Sequence, residues 1–232
     1  MPPTSRAMGT VAMLKAAGIG TGDEVIVPAY GNVEVAEAVE LAGARPVFAD
    51  IDPDTYCLAP ASVEAGVSAH TAAIIAVHRF GQPADVARLR EIGGRRGLLV
   101  LEQGESEQPH DGLAERRAHA GYLNARLSGV RTPAGSERHT YQQYVVRVPG
   151  NGRPDRDAFA HAVRARGIDC RVPVKTPVHR LPRFRRDVAL PETERAADET
   201  LALPVGATLS RRELHKVVSA CNALGGLLQP AF

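Results

Sequence analysis

The sequence predicts an α/β protein: a parallel-sheet domain covered by helices, followed by a small C-terminal α+β domain. Three observations predict it. Short, nearly continuous apolar runs alternate with segments of helical periodicity through residue 103. Those runs lack the in–out alternation of a half-exposed sheet, as strands buried on both faces do. After a polar stretch at 104–140 the order changes to strand, helix, strand and two closing helices. The expected boundaries are 1–127 for the first domain and 136–232 for the second.

Each element has its own signal. "GTVAMLKAAG" (9–18) reads as a helix closed by Gly18, and "DEVIVPAY" as a short buried strand. "NVEVAEAVELAG" has apolar residues at helical spacing and stops at Gly43; "RPVFADID" is a strand ending in carboxylates. "PASVEAGVS" is a short helix, "TAAIIAVHRFG" a third strand, "PADVARLREIGGRRG" a helix and "LLVLEQ" a fourth strand. One weak helix, "LAERRAHAGYLNARL", interrupts the polar stretch. The second unit reads as strand "YQQYVVRV", helix "DRDAFAHAVRARG" and strand "IDCRVPV", then an Arg- and Pro-rich loop. Helices "TERAADETLAL" and "SRRELHKVVSACNALGGLL" finish it, the last opened by a capping box of Ser210 and Glu213.

Composition narrows the function. No apolar run approaches the roughly 20 residues of a membrane span, and "MPPTSRAMGT" has no apolar signal-peptide core. Cys57, Cys170 and Cys221 are scattered and odd in number, which suits neither a metal cluster nor a disulfide framework and fits a reducing cytoplasm. The net charge is +2 with the signs mixed, so a nucleic-acid partner is not expected. Lys15, Lys175 and Lys216 are the only lysines among 28 basic residues, leaving three candidates for any amine chemistry.

The ordered series GDEVIVP, DIDPDTY, VHRFGQPAD and TPVHRLP, with "HTYQQYVVRV" and "LALPVGATLS", resembles the DegT/DnrJ/StrS family of pyridoxal-phosphate sugar aminotransferases. The resemblance implies a shortened version of the aspartate-aminotransferase-type large domain. It also implies a dimer, and amino transfer to a keto-sugar nucleotide. By the same resemblance, Gly9 and Thr10 match a pair that offers N–H groups to the cofactor phosphate at a helix N-terminus, and Asn124 in "NARL" matches a second phosphate contact.

The departures carry as much information. Asn32 stands where the family has a ring-stacking aromatic, with Tyr30 as the nearby substitute. Gln103 stands where the family has the Asp that keeps the pyridine nitrogen protonated; a neutral amide can bond that nitrogen but cannot hold a proton on it by charge. The internal imine needs a primary amine between these positions, and the 20 residues between Gln103 and Asn124 contain no lysine. Ordinary transamination is therefore not expected. No covalent cofactor is expected, while pyridoxal or pyridoxamine phosphate stays open as a non-covalent ligand.

Two readings follow. In the first, the chain is a degenerate, aminotransferase-like partner or accessory protein in a sugar or natural-product biosynthetic pathway. In the second, it is a repurposed isomerase, dehydratase or cyclase in which Glu105, His110 and His179 move protons without an imine. A homo-oligomer, or a heteromer with a pathway enzyme, is expected because a sheet shortened at its centre exposes new edges. A nucleotide sugar or another small molecule is the expected ligand.

Overall fold

A computed structural model of the chain describes residues 4–104, 112–148, 150 and 153–225. They fall into two compact units, drawn from Met1–Arg79, Pro83–Gly104 and Thr176–Thr193, and from Phe80–Gln82, Glu105–Lys175 and Glu194–Phe232. Among the described residues no helix is long and apolar enough to cross a membrane.

The first unit holds α1 (Ser5–Ala16), β1 (Glu24–Pro28), α2 (Val33–Ala42), β2 (Arg45–Ala49), α3 (Pro60–Gly66), β3 (Thr71–Val77), α4 (Val86–Arg96) and β4 (Leu99–Gln103). The four strands form one parallel sheet in the order β2-β1-β3-β4. β1 is buried at every position and β3 at all but Ala72. Alternate residues serve opposite faces: Val25, Val27 and Ile75 pack with α1 and α2, while Ile26 and Ile74 pack with Leu89 and Ile92 of α4. Covering both faces is what makes these strands read as unbroken apolar runs. Burying each such Val or Ile contributes about 1.5–3 kcal/mol. β4 ends the sheet, with Leu99, Val100 and Leu101 only half-buried. Two 3-10 turns, Val178–Arg180 and Pro182–Phe184, add Val178 and Phe184 to the α1/α2 side, and the Val178 N–H donates to the Ala29 carbonyl at 2.8 Å.

α1 begins four residues before the expected start. Thr4 is the cause: its hydroxyl accepts the Ala7 N–H at 3.3 Å, and its carbonyl accepts the Met8 N–H at 3.0 Å.

The second unit contains α5 (Leu113–Asn124), β5 (Tyr144–Arg147), α6 (Arg153–Ala165), β6 (Thr200–Leu203) and α8 (Arg211–Gly225); α7 (Pro191–Glu199) runs directly into β6. β5 and β6 pair antiparallel, Tyr144 opposite Leu203 and Arg147 opposite Thr200. Their core includes Leu123, Val146, Phe159, Leu201, Val217 and Cys221. The Ser210/Glu213 capping box forms as expected: the Ser210 N–H donates to Glu213 Oε2 at 2.8 Å, and the Glu213 N–H to Ser210 Oγ at 3.3 Å.

Two further expectations need correction. "TERAADETLAL" is not one helix. Its helix stops at Glu199, where Thr200 Oγ1 donates to the Ala196 carbonyl at 2.6 Å and Arg156 Nη1 donates to the carbonyls of Ala197 and Thr200 at 2.9 and 3.0 Å. The next four residues then gain ladder partners on β5, so tertiary pairing overrides helical propensity. "IDCRVPV" makes only an isolated bridge, Arg171 to Ala202, and Pro173 two residues on has no N–H to extend it.

Candidate functional site

Ligands of open α/β sheets sit beyond the carboxyl ends of the strands. In the first unit that end carries a small cavity of about 30 Å³, lined among others by Thr10, Asn32, Glu34, Gln103 and Gly104. β4 delivers Gln103, and its side-chain Nε2 donates to Thr10 Oγ1, a hydroxyl that is itself buried. The next residue must be glycine: Gly104 has φ +127°, and a Cβ there would lie 2.7 Å from the His78 Cβ. Gly9 and Thr10 lie in the second turn of α1, because Thr4 moved the helix start. Their backbone groups therefore fall inside the helix instead of among its free N-terminal donors.

Asn32 adopts the left-handed conformation, φ 56°, just before α2, and its Oδ1 accepts from Arg79 Nη1 at 2.7 Å. Tyr30 is 1% exposed and stacks on Tyr56 at 5.7 Å, with the Arg79 guanidinium 5.6 Å from its ring centroid. Desolvation lowers the Arg79 pKa, opposed by the neighbouring Tyr30 and Cys57. Tyr30 is thus a packing residue beneath the half-buried Arg79, and it does not line the cavity. Arg79 is a site residue that sequence reasoning passed over. Its signal was a full charge two residues past an apolar strand.

The strand-end carboxylates and histidines are mostly committed. Asp50 Oδ1 and Oδ2 accept the backbone N–H groups of Thr193 and Glu192 at 2.7 and 3.0 Å. Asp52 Oδ1 holds the turn through the Asp54 and Thr55 N–H groups. His78 Nδ1 accepts the Ala84 N–H at 3.0 Å, so its proton sits on Nε2, which meets Glu102 Oε1 at 2.9 Å; Arg90 Nη2 holds the other Glu102 oxygen at 3.1 Å. Both ring nitrogens of His78 are occupied, and this group ties β3 to β4. His179 is 1% exposed and packs 6.4 Å from the Phe48 ring, away from the cavity lining. Glu105 and His110 lie outside the described residues. Asn124, in the second unit, accepts from the Tyr144 hydroxyl at 2.7 Å through Oδ1. Burial raises the Tyr144 pKa, which keeps it a donor.

The cofactor implied by the resemblance can be tested against this geometry. Sites for small ligands span roughly 300–1,000 Å³. The space framed by the described residues holds about one water by comparison. The amide that would face a pyridine nitrogen is turned onto Thr10. Glu34, whose Oε2 accepts from Thr4 Oγ1 at 3.1 Å, puts a carboxylate in the same lining and opposes a phosphate. Lys15 is exposed on the last turn of α1, and neither Lys175 nor Lys216 lines the cavity. Among the described residues, those at the sheet end frame too little space for pyridoxal phosphate and place a carboxylate where its phosphate would lie.

Comparisons with known proteins give the ancestry. The chain is 34% identical over 179 residues to an L-glutamine:2-deoxy-scyllo-inosose aminotransferase of Streptomyces paromomycinus, covering 77% of this chain and 40% of that protein. A namesake from Streptomyces kanamyceticus is 44% identical over 102 residues, 44% of this chain and 24% of that protein. The chain thus spans less than half the length of these curated relatives. Among solved structures, S. venezuelae DesV in complex with a ketimine intermediate superposes with a TM-score of 0.82 at 23% identity, covering 95% of this chain and 83% of that one. The putative sugar aminotransferase Spr1654 of Streptococcus pneumoniae, in its PMP form, gives 0.84 at 15% identity, covering 97% and 85%. At such identities the likeness shows the fold alone, which is that of these aminotransferases. The sequence profile described as the DegT/DnrJ/EryC1/StrS aminotransferase family matches residues 4–104 and 109–222, and the chain belongs to that family.

Proposed function

We propose that this chain is a family member that has left transamination and serves as a partner or accessory protein in a sugar or natural-product biosynthetic pathway. The observation that carries the reading is Gln103. The position that should hold a charge against a pyridine nitrogen holds a neutral amide, and that amide is spent on Thr10 beside a cavity of about 30 Å³. The lysine-free run between Gln103 and Asn124 supports the same reading, since an imine needs an amine. Names of relatives that act on scyllo-inosose derivatives support sugar-like pathway chemistry. The half-buried β4 at the end of the sheet supports an oligomer, homomeric or with a pathway enzyme.

Mixing the protein with pyridoxal phosphate is expected to give no change in absorbance or melting temperature, and borohydride treatment is expected to leave its mass unchanged. A pyridoxyl adduct on any side chain would refute the loss of imine chemistry. A saturable thermal shift with pyridoxamine phosphate would overturn the loss of the cofactor site. Adding the protein to a full-length family aminotransferase from the same source is expected to change that enzyme's rate or native mass. No change in either, with a clean monomer by light scattering, would defeat the partner reading. The acid–base alternative draws no support from His179, which is buried.

A further inference from the structure

α1 is apolar on the side that meets solvent, where a helix at a protein surface ordinarily carries polar groups. Ala7, Thr10, Val11 and Leu14 are its buried side. Met8, Gly9, Ala12, Met13 and Ala16 are exposed and share the opposite side. Met8 is 49% and Met13 44% exposed, two of the four large hydrophobic side chains so placed among the described residues. One such residue alone needs no explanation, but two methionines flanking three small residues on one helix form a patch. Methionine is enriched at protein interfaces. The small residues let a second helix approach closely, and a Cβ built on Gly9 meets nothing within 4 Å.

Charges at the two ends of the patch say what covers it. Among the described side chains of α1, Lys15 is the only charged one, and it is exposed in the last turn. At the other end Glu34, also exposed, accepts a hydrogen bond from Thr4 Oγ1 at 3.1 Å. From Thr4 to Lys15 is about three helical turns, roughly 16 Å, so both stand on the same flank of α1.

We propose that the exposed side of α1 binds a second copy of this chain, with the two α1 helices antiparallel about a twofold axis. That symmetry reverses the helix direction and keeps like flanks together. Lys15 of each copy therefore comes level with Glu34 of the other, and the pair forms twice. A parallel pair would set Lys15 against Lys15. In the antiparallel register Met8 and Met13 stand over Ala12 and Gly9 of the other copy, which are small enough to receive them. The apolar patch supplies the affinity; exposed ion pairs add little to it but fix the orientation. This inference rests on the oligomer proposed above and names its homomeric form. It does not depend on the loss of the cofactor site.

Sedimentation velocity of the full chain over a concentration series tests it. The unmodified protein is expected to be a reversible dimer. Met8→Glu with Met13→Glu is expected to weaken it at least about a hundredfold, because four methionines lose their burial. Lys15→Glu and Glu34→Lys are each expected to weaken it about tenfold, since symmetry repeats the like-charge contact. Combining the two charge reversals is expected to restore the parent dimer. A dimer indifferent to the methionine changes would overturn the α1 assignment and leave the proposed function standing, as would a double reversal no tighter than either single one. A chain that is monomeric alone at every concentration, or that associates only with a full-length family aminotransferase, would overturn self-pairing itself. Glu34→Lys also removes the acceptor of Thr4; should it misfold by circular dichroism, the methionine pair and Lys15→Glu decide, because all three side chains are exposed.

Discussion

Replacing Asp50 by Ala removes one carboxylate that accepts two backbone donors at the start of α7: Thr193 N–H at 2.7 Å and Glu192 N–H at 3.0 Å. Thr193 is fully buried, so its N–H has no water to turn to. Loss of a helix N-cap costs about 1 kcal/mol. Leaving a charge-assisted backbone donor unmade adds about 1.5–3 kcal/mol. A total of about 3 kcal/mol follows, and a chain of this size should lose roughly 6–12 °C in melting temperature. Asp50→Asn retains one good acceptor and should lose about half as much. Urea unfolding followed by far-ultraviolet circular dichroism, with a thermal melt in parallel, reads both variants. If Asp50→Ala melts within a degree or two of the parent, the carboxylate is not a cap, and its place at the end of β2 would have to be explained by ligand chemistry.

Three further outcomes follow from buried groups. His139 is 3% exposed, and desolvation, with Arg117 adding charge repulsion, lowers its pKa from 6.5 to about 4. The unfolded chain takes up this proton first, so stability should fall with pH between about 6.5 and 4, and His139→Phe should remove one proton's share of that slope, about 1.4 kcal/mol per pH unit; an unchanged slope in a pH series of urea melts refutes it. The Glu24 pKa is lowered below 4.5, chiefly by the Ser68 hydroxyl at 2.6 Å and then by Arg45. Its contribution is therefore present above the unfolded value and lost as pH falls through the folded one, so Glu24→Gln should flatten the acid limb below about pH 4.5, and a limb of unaltered steepness speaks against this. Burial pushes Cys57 and Cys221 up to about 12 and raises Cys170, so a thiol reagent at pH 8 should label none of them in the native protein and all three in denaturant; rapid labelling before denaturation contradicts the burial.

The sheet was legible because each strand had two faces to cover. Val25, Ile26 and Val27 face alternate sides yet are all apolar, which only a doubly covered strand requires. The Ser210/Glu213 helix start was legible because the capping box is written in four residues. Thr200–Leu203 was misread because a strand of four residues has no period of its own. Its identity comes from β5 and from Arg156, more than forty residues away. The start of α1 was misread for a similar reason, since one threonine outside the apolar pattern decides it.

The candidate site divides along the same line. What a site lacks can be read from residue types alone: an amide cannot act as a carboxylate, and a segment without lysine cannot form an imine. What the remaining groups do instead is set by partners far apart in sequence. Gln103 turns to Thr10, 93 positions away, and Asp50 turns to Thr193, 143 positions away. His179 matches a family motif in sequence but lies in the core beside Phe48. Among the described residues, the polar groups near the sheet end make contacts that hold helices and turns.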